Sequence, residues 1–129
     1  MSEAVLLYTL AYLEPRGAED RGIVASMVRM SEENFTDPDL SLAAIADALG
    51  YDPKYLSFVF RRERGVTYTH YLRDLRVCHA AFLLEQGVTS VKNVAWLSGF
   101  RDPLYFSKVF SQVEGVSPRA YLKSRANSR

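Results

Sequence analysis

Gly50 to Phe60 reads GYDPKYLSFVF, and Gly99 to Phe110 reads GFRDPLYFSKVF. Sliding residues 52–72 onto 102–122 gives ten identities in twenty-one positions, where chance gives about one or two. Asp52-Pro53 lands on Asp102-Pro103, Tyr55 on Tyr105, Ser57 on Ser107, and Val59-Phe60 on Val109-Phe110. Gly65-Val66 then meets Gly115-Val116, and Tyr71-Leu72 meets Tyr121-Leu122. Upstream the offset falls to 49, so Ile45-Ala46 answers Val94-Ala95 and Gly50 answers Gly99. A unit of about fifty residues therefore occurs twice, too few times for a solenoid but enough for a pseudo-symmetric domain.

Within the first copy, Leu42, Ile45, Ala46 and Leu49 recur at helical spacing and stop at Gly50, a residue suited to the left-handed turn after a helix. Asp52 can cap the next helix, and Pro53 fits its first turn, where no amide hydrogen is required. That helix is expected to run to Arg64, burying Leu56, Val59, Phe60 and Tyr55. The pattern is helix-turn-helix, with Ala46 and Ala95 small enough for close crossing. The second copy predicts helices near 90–98 and 102–114. Between the copies, Thr67 to Gln86 reads as one helix closed by Gly87, about 30 Å long at 1.5 Å per residue. Ser117-Pro118 opens a last helix, and Ile23 to Phe35 reads as an amphipathic one ahead of the turn TDPD.

The net charge of +1 conceals a polarised chain. Residues 1–50 hold three basic and nine acidic side chains, and residues 51–129 hold thirteen basic and six acidic. A basic second part suggests an anionic partner, although a solvated basic face has the same composition. The lone cysteine, Cys78, excludes an internal disulfide, fits a reducing compartment, and is expected to be a small buried hydrophobe. The apolar run Ala4 to Leu13 is too short to span a bilayer and lacks the basic start of a targeting signal. His70 and His79 sit nine apart on one helix and face opposite ways, with no ligand partner at a metal spacing. No Ser/His/Asp order and no phosphate-cradling glycine loop stands out. The chain is expected to be no enzyme, to hold no metal or cofactor, and to work in the cytoplasm.

Chemistry then rests on the outward face of each second helix. In the first copy it carries Lys54, Ser57, Phe58 and Arg61, and in the second Leu104, Ser107, Lys108 and Ser111. Hydroxyl, cationic and apolar groups mixed in this way can address base edges and thymine methyls in a major groove. Arg61, Arg62, Arg64, Arg73 and Arg76 are candidates for phosphate oxygens, which supply affinity without sequence information. Some of these charges could equally be solvated, since Arg64 follows Glu63 and Arg73 precedes Asp74. Adjacent major grooves lie about 34 Å apart, commensurate with the linking helix, so one monomer could fill two grooves.

At this point the chain resembles the DNA-binding domain of AraC/XylS-type bacterial transcription regulators. FSKVFSQVEGVSPRAY (Phe106 to Tyr121), preceded by VAWLSGFRDPLY, is similar to the signature of the family's second unit. YLRDLRVCHAAFLL (Tyr71 to Leu84) matches its linker helix, LSLAAIADALGYDPKYLSFVFRRERG its first unit, and ENF (Glu33 to Phe35) the end of its first helix. The resemblance covers roughly residues 22–123. It implies an all-α fold of about seven helices, with two helix-turn-helix subdomains joined by a long linker helix, binding promoter DNA. Two departures stand out. Phe58 occupies a position where the family often has arginine, and it either folds back on its domain or contacts a thymine methyl or sugar. Ser111-Gln112 stands where lysines are common, which weakens the phosphate grip expected of the second unit, leaves Gln112 as its phosphate candidate and lets the first unit dominate affinity.

The domain reading is therefore a first unit over about 22–66, a linker helix over about 67–86 and a second unit over about 87–125. Residues 1–21 fall outside it: Leu6, Leu7, Leu10, Tyr12 and Leu13 suggest an apolar helix, and EPRGAED reads as a linker. The segment looks like the tail of an effector-binding or dimerising domain, which would make a homodimer possible; a naturally short regulator is the other reading. Trp96 replaces Asp47 of the first copy and is expected in the core, whereas an exposed Trp96 would suit contact with RNA polymerase or another regulator. The competing functional reading is a helix-turn-helix protein-interaction module without sequence readout.

Overall fold

The computed structural model describes the backbone of residues 3–127 and the side chains of residues 17–124. Among them are seven helices and no strand: α1 (Glu3–Asn34), α2 (Leu42–Leu49), α3 (Pro53–Arg64), α4 (Tyr68–Glu85), α5 (Val91–Leu97), α6 (Pro103–Glu114) and α7 (Pro118–Asn127). The duplicated phrase produces duplicated caps. Asp52 accepts from the Lys54 amide at 2.7 Å and Asp102 from the Leu104 amide at 3.0 Å, each ahead of a first-turn proline. Ser41 and Ser90 cap α2 and α5 in the same way, by accepting from the Ala44 and Asn93 amides. Each such cap satisfies an amide that the helix leaves unpaired, and each contributes about 1 kcal/mol.

Two separate cores result. Ile45, Ala46, Leu56, Val59 and Phe60 pack with Ile23, Val24 and Met27 of α1 and with Tyr68 and Leu72 of α4. Val94, Ala95, Phe106, Val109 and Phe110 pack with Val77, Ala80 and Leu84 from the other half of α4. The symmetry reaches individual rings: Phe60 meets Tyr71 at 5.2 Å between centroids, and Phe110 meets Tyr121 at 5.5 Å. Tyr68 adds a buried polar tie, its hydroxyl 2.7 Å from Ser31 Oγ, while Ser31 also donates to the Met27 carbonyl.

Three sequence expectations are corrected here. The stretch EPRGAED is not an irregular connection, because α1 runs through it without a break. Asp20 is the reason at its far end. Its carboxylate is buried, accepts from Tyr55 Oη at 2.6 Å and pairs with Arg62, which fastens this turn of α1 to α3. The side chains of Leu6, Leu7, Leu10, Tyr12 and Leu13 lie outside the described residues. Cys78 is exposed rather than buried, because α4 turns Val77 and Ala80 inward and leaves the position between them to solvent. Trp96 is not in the core either. Its neighbours Val94 and Ala95 fill the inward face of α5, and the indole is 64% exposed. Among the described residues no helix is long and apolar enough to cross a membrane, and no group of His, Cys, Asp or Glu is placed to hold a metal.

The two units meet at Arg76, near the middle of α4. Its Nε donates to the Phe35 carbonyl and its Nη2 to the Asp37 carbonyl, both at 2.9 Å, tying α4 to the turn after α1. Burial lowers the guanidinium pKa from its ordinary value, against the opposing influence of Tyr68, Asp37 and Tyr105. Gly99, the turn glycine of the second unit, closes on the same place at φ 90°. A Cβ there would sit 2.3 Å from the Phe35 carbonyl oxygen and 2.8 Å from Arg76 Nε. Gly50, its counterpart, has a similar φ of 77° but open space around it. Arg101 reaches Asp39 across the same junction.

This contrast predicts unequal effects of the same change at the two turns. Gly50→Ala should cost about 1 kcal/mol, the penalty of a side chain in the left-handed region. Gly99→Ala adds a clash with backbone and should cost about 3 kcal/mol or more in urea denaturation. A second prediction concerns His79, whose ring packs edge-on against Phe35 at 4.9 Å. Burial lowers its pKa from the ordinary 6.5, so the folded protein favours the neutral ring. Below about pH 6.5 the unfolded chain therefore binds a proton that the native state resists, and stability falls as the pH drops. Thermal melts of His79→Gln should lack this part of the acid limb.

Candidate nucleic-acid interface

The capped starts of α3 and α6 determine which side chains face outward. With Leu56, Val59 and Phe60 buried in α3, the opposite stripe Lys54, Ser57, Phe58 and Arg61 is exposed. In α6, Phe106, Val109 and Phe110 take the inner positions, leaving Leu104 and Lys108 exposed and Ser107 and Ser111 half-buried. Phe58 does not fold back on its domain. Its ring is 60% exposed, and Leu104 is 82% exposed. Ser111 differs from its counterpart Arg61, because its hydroxyl donates to the Ser107 carbonyl at 2.8 Å along its own helix.

The charges divide into free and committed. Lys54, Arg61 and Lys108 have no carboxylate partner among the described residues. Arg62, expected at phosphate, instead pairs with buried Asp20, contacts Glu63 at 3.5 Å and stacks over the Phe58 ring at 5.4 Å. Arg73 pairs with its neighbour Asp74 at 3.0 Å. Arg76, also expected at phosphate, holds the inter-unit junction, with Nε on the Phe35 carbonyl and Nη2 on the Asp37 carbonyl. Gln112 is exposed at the end of α6, whose last turn carries no basic residue. The last turn of α3 carries Arg61, Arg62 and Arg64, so the cationic field is concentrated on the first unit.

Sequence reasoning missed two features. One is the cleft of about 350 Å³ between the units, lined by Ser41, Thr69, Arg73, Arg101 and Tyr105 among others. Arg101 and Tyr105 carried no signal of their own, since only the juxtaposition of the two copies makes this surface. The other is the chain from Asp20 through Arg62 to Phe58, which depends on a register between α1 and α3 that no local pattern displays.

Comparison with known proteins agrees with this architecture. A family model described as a helix-turn-helix domain matches residues 28–124. The transcriptional activator RhaR of Klebsiella pneumoniae is 48% identical over 59 residues, which is 46% of this chain and 21% of RhaR. RhaR of Pectobacterium atrosepticum is also 48% identical, over 62 residues and 22% of its length. The chain thus matches only about a fifth of these curated relatives. Among solved structures, the C-terminal domain of AraT, a response regulator from Geobacillus stearothermophilus, superposes with a TM-score of 0.77 at 31% identity. That alignment covers 79% of this chain and 84% of the AraT domain. The DNA-binding domain of the global transcriptional factor AdpA, solved with a target DNA, gives 0.77 at 27% identity, covering 82% and 95%. With its two capped helix-turn-helix units, its linking helix and these relatives, the chain belongs to the AraC-type helix-turn-helix family.

Proposed function

We propose that the chain is the DNA-binding part of a transcription regulator, which inserts α3 and α6 into successive major grooves of double-stranded promoter DNA. The carrying observation is the pair of exposed, mixed-chemistry faces at equivalent positions of two units, held apart by α4. At 1.5 Å per residue the eighteen residues of α4 extend about 27 Å, close to the separation of adjacent grooves. AdpA, which shares the fold, has been solved on its target DNA, and this supports carrying the binding mode across. The family's regulators work on promoters, so the cytoplasm is the expected compartment.

Lys54, Ser57, Phe58 and Arg61 read one half-site, and Leu104, Ser107, Lys108 and Ser111 the other. Arg61, in the basic last turn of α3, is also suited to a phosphate contact. Gln112 and, once released from Asp74, Arg73 supply further backbone contacts. The exposed indole of Trp96 lies on α5, outside both recognition faces, and suits a protein partner such as RNA polymerase.

Selection from a random duplex library tests this reading. The expected result is a bipartite motif with half-sites about 10 base pairs apart; salt-sensitive binding with no enriched motif would leave only the phosphate contacts standing. In titrations across salt concentration, Lys108→Ala and Arg61→Ala should each weaken binding. Arg61→Ala should also reduce the salt slope by about one where it meets a phosphate. Arg76→Ala should act differently, lowering the melting temperature before it alters the slope.

A further inference from the structure

Because the two recognition helices are built on one pattern, their differences can be compared position by position. Lys54 aligns with Leu104 and Phe58 with Lys108. Lys54 and Phe58 lie one helical turn apart on the exposed side of α3, and Leu104 and Lys108 likewise on α6. Each helix thus carries one cation and one apolar group at the same two positions, but in opposite order. Ser57 and Ser107 are identical and do not distinguish the units.

Both apolar groups are held outward. Leu104 follows the Asp102-Pro103 cap directly and is 82% exposed. Phe58 is 60% exposed, with the guanidinium of Arg62 stacked on its ring, and Arg62 is in turn anchored by buried Asp20. An ammonium group suits the guanine acceptors O6 and N7, whereas an apolar side chain suits the thymine methyl. Four residues advance about 6 Å along a helix, or about two base steps, so the two side chains address different base pairs.

We propose that the guanine-reading and thymine-methyl-reading positions are interchanged between the two half-sites, because α3 presents Lys54 then Phe58 and α6 presents Leu104 then Lys108. The inference rests on the DNA-binding reading above and adds what each half-site contains. The pseudo-symmetric protein then recognises a tandem site whose halves are not repeats of each other, and the order of the two bases gives the bound protein a direction along the duplex. Arg62 acts as a positioning residue for Phe58 and has no base contact of its own.

The decisive experiment is duplex selection with the whole chain and with the double variant Lys54→Leu/Phe58→Lys, which gives α3 the order found in α6. Both positions are exposed, so the variant should fold, as circular dichroism melts would verify. The expected outcome is a bipartite wild-type motif with guanine and thymine in opposite order in its halves. In the variant, one half should change to match the other while the second half stays as it was. Phe58→Ala should reduce preference for the thymine in that half alone, by roughly fivefold or more. The proposal is overturned if the wild-type halves show the same order, or if the double variant leaves both halves unchanged. Absence of any wild-type motif would overturn the DNA-reading assignment itself, an outcome distinct from an unchanged motif.

Discussion

The architecture depends on a three-way contact at the middle of the chain: the Arg76 guanidinium on the Phe35 and Asp37 carbonyls, with Gly99 closing against them. Duplication alone supplies two copies of a motif but no rule for how they sit relative to one another. Here that relation follows from the Phe35 and Asp37 carbonyls in the turn after α1 and from a planar guanidinium fork that donates to both. The missing Cβ at Gly99 allows the second unit to come within contact distance of both partners. The equivalent glycine in the first unit meets nothing, so the same residue serves only backbone conformation there and close approach as well here.

Most of the fold was legible in the sequence because its determinants are local. Asp-Pro at the start of a helix, Ser at a cap, glycine at a left-handed end and apolar residues at helical spacing each act within a few residues, and each recurs in both units. The outward faces of α3 and α6 were legible for the same reason, since an inward stripe defines its outward complement. What escaped was decided by tertiary register. EPRGAED has the composition of a linker, yet Asp20 within it is buried by partners 35 and 42 residues away. Trp96 looks like core by residue type, but Val94 and Ala95 already occupy the inward face of a seven-residue helix. Among the arginines, sequence supplies a count of cations but not which of them have a carboxylate or carbonyl within reach.

The two units are alike in frame and unlike in charge. The first ends its recognition helix with three arginines and is clamped to α1 through Asp20, Tyr55 and Arg62. The second ends its recognition helix with no cation and takes its closing support from α7, where Tyr121 donates to Glu85 at 2.6 Å. Tyr105, the counterpart of Tyr55, lines the inter-unit cleft instead of meeting a buried carboxylate. Divergence has therefore fallen on surfaces and on the outer supports, while the paired rings Phe60–Tyr71 and Phe110–Tyr121 have stayed the same.

The division of α4 between two cores bears on how the molecule opens. Tyr68 and Leu72 belong to one core and Val77, Ala80 and Leu84 to the other, with Arg73 to Arg76 between them. Each core holds its own half of α4, so the two units can open as separate segments, coupled through α4 and through the Arg76 junction. Amide exchange would then proceed on two schedules, and the slowest amides of both would lie on the same helix.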